Sequence, residues 1–108
     1  MTTTDSLDNL TAELKQFAID RDWLQFHSPK NLAMAISGEA AELSEHFLWL
    51  TTKESNNLTP EQLQQVALEI ADIQIYLIRV AEVLDIDIIA SVYKKIALNQ
   101  KRFPKTQK

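Results

Sequence analysis

Apolar residues recur at helical spacing along nearly the whole chain, and no stretch alternates long enough to make a useful strand. Leu7, Leu10, Leu14, Phe17 and Ala18 form one stripe and predict a first helix from about Ser6 to Asp20. The segment "RDWLQFH" breaks that pattern. Ser28-Pro29 then offers a hydroxyl cap and a proline at the first helical position, opening a second helix that runs to about Leu50. "TTKESNNL" reads as a polar loop. Thr59 and Gln62 are spaced as a capping box, and the third helix they open reaches about Leu84. Asp85-Ile86-Asp87 makes a short turn, Asp87 caps a fourth helix to about Arg102, and Pro104 stops it. The expected architecture is all-α, one domain over residues 1–108, with residues 1–5 and 105–108 as loosely held ends.

The third helix is apolar almost all round, from Val66 through Ile70, Ile73, Leu77 and Val80 to Leu84. Such a helix wants burial on most sides, and three short partners can hardly enclose it. A second copy of the chain would, so a homo-oligomer with this helix near its interface is expected.

Composition narrows the class. With 45% hydrophobic and 24% charged residues the chain has the balance of a soluble globular protein. No run approaches a membrane span, and "MTTTDSLDNL" lacks the basic-then-apolar order of a secretory leader. The absence of cysteine excludes disulfides, thiolate nucleophiles and zinc thiolate sites, and fits a cytoplasmic protein. A net charge of −4 argues against a nucleic-acid backbone as partner.

The acids are the chemically odd feature. In the second helix Leu32, Ile36, Leu43, Phe47 and Leu50 make one stripe, and Glu39 falls in the middle of it. Glu42 lies at its edge, three residues on, so the two carboxylates are neighbours. Glu69 and Asp72 repeat that spacing in the greasy third helix. A buried unpaired carboxylate costs several kcal/mol or takes up a proton. Arg79 shares a helix face with Asp72 but lies too far along the axis to neutralise two acids. Antiparallel packing of the second and third helices would gather all four acids, a set of hard oxygen donors suited to Mg²⁺ or Mn²⁺. Only His46 offers nitrogen, and the Glu-x-x-His pair of di-iron bundles is absent. Acids three apart are also common on solvated helix faces, so the burial of these helices is what singles out the two pairs.

The pattern Glu39-x-x-Glu42 with Glu69-x-x-Asp72, the "RDWLQFH" break and the ending "KIALNQKRFP" together resemble the MazG-like all-α nucleoside triphosphate pyrophosphohydrolases, in their dCTP pyrophosphatase branch. The resemblance runs from about Phe17 to Pro104. It implies a four-helix bundle-like fold assembling as a dimer or tetramer, with sites that draw on more than one subunit. It implies hydrolysis of a (deoxy)nucleoside triphosphate, a pyrimidine dNTP such as dCTP, to the monophosphate and pyrophosphate. Glu39, Glu42, Glu69 and Asp72 match the family's Mg²⁺ ligands. Trp23 to His27, Trp49 and Tyr76 match positions that hold base and sugar. One departure stands out: Leu14 occupies the place of a histidine in the dCTP-specific relatives.

Residue chemistry adds roles. Glu42 or Glu45 is the candidate to take a proton from the attacking water, with Glu45 equally readable as solvated surface. Trp23, Phe26 and Trp49 offer faces for a base, His27 either touches substrate or supports the cap at Ser28, and the Tyr76 hydroxyl suits a sugar. Lys95, Asn99 and Arg102 share one helix face and suit phosphate oxygens, or simply favour the helix dipole. The competing expectation is a non-enzymatic helical module that oligomerises and binds a nucleotide or another partner.

Overall fold

Each predicted cap forms in the computed structural model, which describes residues 6–106. Ser6 Oγ accepts from the Asn9 amide at 3.0 Å and starts α1, Leu7–Asp20. Ser28 Oγ accepts from the Asn31 amide at 3.1 Å and starts α2, Pro29–Glu45. A short α3, Thr52–Ser55, precedes α4, Pro60–Val83, which opens on the reciprocal bonds between Thr59 and Gln62. Asp87 accepts from the Ala90 amide at 3.0 Å and caps α5, Ile88–Arg102. The described residues contain no strand.

Two boundaries differ from the sequence expectation. The second helix stops at Glu45, short of Leu50. Beyond it the amides turn to partners three residues back, His46 to Leu43 and Phe47 to Ser44, the tightened geometry of a fraying end. Leu48 and Trp49 are 64% and 88% exposed, so no packing within the chain rewards another helical turn there. The supposed loop "TTKESNNL" contains α3, nucleated by a capping box between Thr51 and Glu54. That Thr-x-x-Glu signal is present in the sequence.

The corners after α1 and α4 are built alike. Asp22 and Asp85 take positive φ (57° and 56°), and the next amide, of Trp23 or Ile86, reaches back to Ala18 or Ala81. These are left-handed helix ends in which aspartate stands where glycine is usual.

Ala18 of α1, Leu32 of α2, and Val66, Ile78 and Ala81 of α4 form the buried apolar core. The packed unit is therefore α1, α2 and α4, with α4 against both partners. The α5 helix buries no residue and forms no comparable packing with any other helix. The expected four-helix bundle is thus not closed within one chain, because Val92, Tyr93 and Ile96 of α5 stay exposed. Nor is α4 buried all round: Leu63, Leu68 and Ile70 are more than half exposed. The radius of gyration is 17.2 Å, against about 13 Å for a compact chain of this length. Of the loosely held ends, Lys105 and Thr106 are exposed beyond α5, and residues 1–5 and 107–108 lie outside the described residues.

Because so few side chains make the core, each matters. Ile78→Ala, at 1% exposure, is expected to cost about 2–5 kcal/mol, read as a lowered urea midpoint with little change in slope; a loss below about 0.5 kcal/mol would contradict the core described here.

Candidate metal centre and adjoining cleft

The α2 and α4 helices run antiparallel. At one end His27, just before α2, meets Arg79 late in α4. Further along, Glu39 meets Glu69 and Asp72, and His46 Nε2 lies 4.0 Å from Glu69 Oε1. One carboxylate oxygen each from Glu39, Glu69 and Asp72 lie within 4.8 Å of one another. Glu39 and Glu69 are half-buried and Asp72 is exposed. Oε2 of Glu39 and Oε2 of Glu69 are buried with no hydrogen-bond partner among the described residues.

The electrostatics follow from that crowding. Glu39 is pushed up to about 7, first by sharing a hydrogen bond with Glu69, then by burial and by the charges of Glu42, Asp72 and Glu69. Burial pushes Glu69 up, and the hydrogen bond and charge of Glu42 add to it while the bond to Glu39 works the other way. Glu42, one turn beyond Glu39 and exposed, therefore acts on both acids while standing outside the tightest group of three. No lysine or arginine forms an ion pair with these four acids among the described residues. Orphaned acceptor oxygens, no thiol and no resident cation are what a site for a hard divalent ion requires.

Beside the cluster lies a cleft of about 510 Å³ with Asp72 in its wall. Leu14, Phe17 and Ala18 come from α1, Trp23, Phe26 and His27 from the following break, and Ile75, Tyr76 and Arg79 from α4. The left-handed corner at Asp22 delivers Trp23, whose ring meets Phe17 edge-on at 5.7 Å between centroids. A single turn of 3-10 helix, Leu24–Phe26, then carries Phe26 round, and Asn31 Nδ2 donates to its carbonyl at 3.1 Å. Trp23 and Phe26 keep 43% and 60% of their surface exposed, so flat aromatic area is available to a ligand.

The structure brings Trp23, Phe26, His27 and Tyr76 together with Asp72 in one cleft wall. It does not bring in the others. Trp49 stands beyond α2 and outside the cleft wall. Glu45 is exposed in the last turn of α2, outside the group of three. Lys95 lies beside Gln74, Leu77 and Val80 of α4, and is not in the cleft wall. Asn99 and Arg102 are exposed further along α5, with the Arg102 guanidinium 5.1 Å from the Phe103 ring centroid.

The sequence pattern places Phe17 on the apolar stripe of the first helix and Arg79 too far along its helix to neutralise the acids, and assigns neither to the site. Arg79 is 2% exposed and forms part of the cleft wall. Its Nε donates to His27 Nδ1 at 3.3 Å and its Nη1 donates to Glu82 at 2.9 Å. Lys15 Nζ completes the cluster 3.1 Å from Glu82. Burial would push Glu82 up, but its bonds to Lys15 and Arg79 hold it below the usual range. Burial, then the Arg79 charge, lowers His27. A lone arginine in an otherwise greasy helix was the available signal.

The MazG-like family model matches residues 34–108, a span that contains all four acids. The chain is 36% identical over 101 residues to dCTP pyrophosphatase 1 of Homo sapiens, and the match covers 92% of this chain and 59% of that protein. It is 38% identical over 101 residues to dCTP pyrophosphatase 1 of Bos taurus, covering 92% and 60%. The chain thus spans about three-fifths of the length of these curated relatives. A solved pyrophosphatase from Archaeoglobus fulgidus superposes with a TM-score of 0.89 at 36% identity, over 97% of this chain and 98% of that one.

The raised Glu39 makes a signed prediction. Its carboxyl titrates near 4.5 unfolded and about 7 folded, so the folded state holds the proton more tightly. The stability that proton confers is present below pH 4.5 and is lost as pH rises to 7. Without metal the melting temperature should fall between pH 5 and pH 8, and added Mg²⁺ or Mn²⁺ should raise it more at pH 8 than at pH 5. Equal metal shifts at both pH values would contradict a shared carboxylate site.

Proposed function

The chain belongs to the MazG-like family, and from that premise we propose that it hydrolyses deoxynucleoside triphosphates, with pyrimidine bases, to the monophosphate and pyrophosphate. The observation that carries this reading is the adjacency of two features: three convergent carboxylates, and an aromatic cleft that shares Asp72 with them. A triphosphate bound across both would lay its phosphates at the acids and its base between Trp23 and Phe26.

Carboxylates alone repel phosphate, so the reading needs a divalent ion, and the orphaned oxygens of Glu39 and Glu69 fit one. Glu39, Glu42, Glu69 and Asp72 would hold Mg²⁺ or Mn²⁺. Bound there, the ion supplies positive charge against the phosphate oxygens. The residues of the chain do the rest. Trp23 and Phe26 stack on the base and exclude water from it. Tyr76, one turn past Asp72, offers its hydroxyl to the sugar. As water adds to phosphorus and the anhydride bond to pyrophosphate breaks, the water's proton passes to Glu42 or Glu45. Glu42 is favoured, because it acts electrostatically on Glu39 and Glu69 while Glu45 stands apart.

The proposal includes a homo-oligomer. The chain exposes 8986 Å², against about 6,100 Å² expected for a compact monomer of its mass. Large apolar side chains on α4 and α5 account for part of that excess, among them Leu68, Ile70, Tyr93 and Leu98. Association through these faces would bury them, and would let Lys95 and Asn99 of one copy approach phosphates at the site of another. No helix among the described residues is long and apolar enough to cross a membrane.

The test is pyrophosphate release from a panel of dNTPs with Mg²⁺ and with chelator. Turnover with the metal and none with chelator is expected; no turnover of any dNTP with the metal present would favour a non-enzymatic binding module. Glu39→Gln should lower kcat by at least about a hundredfold while preserving or raising the melting temperature, because it relieves crowded charge. Light scattering should give a multiple of 12.3 kDa; a species of that single mass would remove the oligomer.

A further inference from the structure

The cleft has two chemically different ends. Asp72, Tyr76 and Arg79 lie at i, i+4 and i+7 on α4, so they share a helix face and spread over about 10 Å of its axis. Asp72 belongs to the acidic cluster. Arg79 marks the other end, and the wall between is apolar, with Leu14, Phe17 and Ile75.

Arg79 carries only donors. Nε and Nη1 are engaged by His27 and Glu82. Nη2 is buried with no hydrogen-bond partner among the described residues. Leaving such a donor unpaired is costly, and it belongs to a side chain of the cleft wall. His27 takes the Arg79 bond on Nδ1, so in its neutral form the remaining ring proton sits on Nε2. Burial and the Arg79 charge favour that neutral form. Both polar groups at this end therefore offer hydrogens and require an acceptor. Leu14, also in the wall, supplies none.

This inference rests on the nucleotide reading above, which fixes the ligand's direction. Phosphates at the acidic end put the sugar near Tyr76 and point N1 of a pyrimidine toward the mouth. The edge opposite N1, with the substituent on C4, then lies deepest, toward Arg79. Uracil and thymine carry an oxygen on C4, which accepts. Cytosine carries an amino group, which donates, and would leave two buried donors facing each other.

We propose that Arg79 is a specificity-determining residue, selecting uracil and thymine nucleotides over cytosine nucleotides through a hydrogen bond from Nη2 to the C4 oxygen. Leu14 of α1 offers the cleft no polar group, and Arg79 supplies one from α4.

Two measurements on the full chain test this. Pyrophosphate release with Mg²⁺ should show kcat/KM for dUTP and dTTP at least about tenfold above that for dCTP. The monophosphates dUMP, dTMP and dCMP, titrated by calorimetry without turnover, should bind in the same order. Arg79→Met, which keeps an unbranched chain but no donor, should bring the ratio close to one by weakening the uracil and thymine nucleotides. Arg79→Lys keeps a charge beside Glu82, and with it the fold, yet should also lose most of the preference because the planar fork is gone. A wild-type chain that uses dCTP equally or better, or a ratio unchanged in either variant, overturns the proposal and leaves the hydrolytic reading standing. Ordered binding of the monophosphates without any turnover removes the hydrolytic reading and supports this one.

Discussion

Glu39 and Glu69 face each other across the seam of α2 and α4, each with a buried oxygen that finds no donor among the described residues. A shared proton relieves part of that repulsion, which is why Glu39 holds its proton up to about 7. At higher pH the seam carries uncompensated negative charge. The helices remain together because Leu32, Val66 and Ile78 hold them, not because the acids do. Apolar burial thus sustains an electrostatic arrangement that is unfavourable by itself, which is how binding sites for hard cations are commonly made.

The other end of the same helix pair has the opposite character. Arg79 is buried, and Glu82 and His27 tie down two of its nitrogens. Lys15 draws α1 into the group through Glu82. This network fastens three elements and aligns a positive end of the cleft with a negative one. With a divalent ion at the acids, a ligand with anions at one end and an acceptor at the other would match that polarity, and the aromatic wall between suits a flat ring. Removing either end would leave a generic apolar groove.

Outside the seam the molecule is sparsely packed. Among the described residues five apolar ones are buried, and one charged residue, Arg79, joins them. The α5 helix has an apolar stripe and buries none of it against the other described residues. Small domains are marginal even when their cores are complete. The proposed oligomer would cover these faces, and α5 carries Lys95 and Asn99 with it.

Much of this was legible beforehand in particular residues. Ser28-Pro29, Thr59 with Gln62, and Asp87 located three helix starts, because capping is a local bond between near neighbours. The two acid pairs declared themselves because carboxylates in greasy helices are expensive. Thr51 with Glu54 was equally local, yet was passed over inside a polar stretch. The α2 terminus was misplaced, since whether Leu48 and Trp49 continue a helix depends on packing that the chain does not provide. The sequence by itself therefore determined the helices, their caps and the identity of the crowded acids. Only the tertiary structure decided that Glu39, Glu69 and Asp72 converge, that Glu45, Trp49 and Lys95 stand apart within the chain, and that Arg79 enters the cleft. Convergence and burial are set by contacts between residues far apart in the chain, and no local pattern encodes those distances.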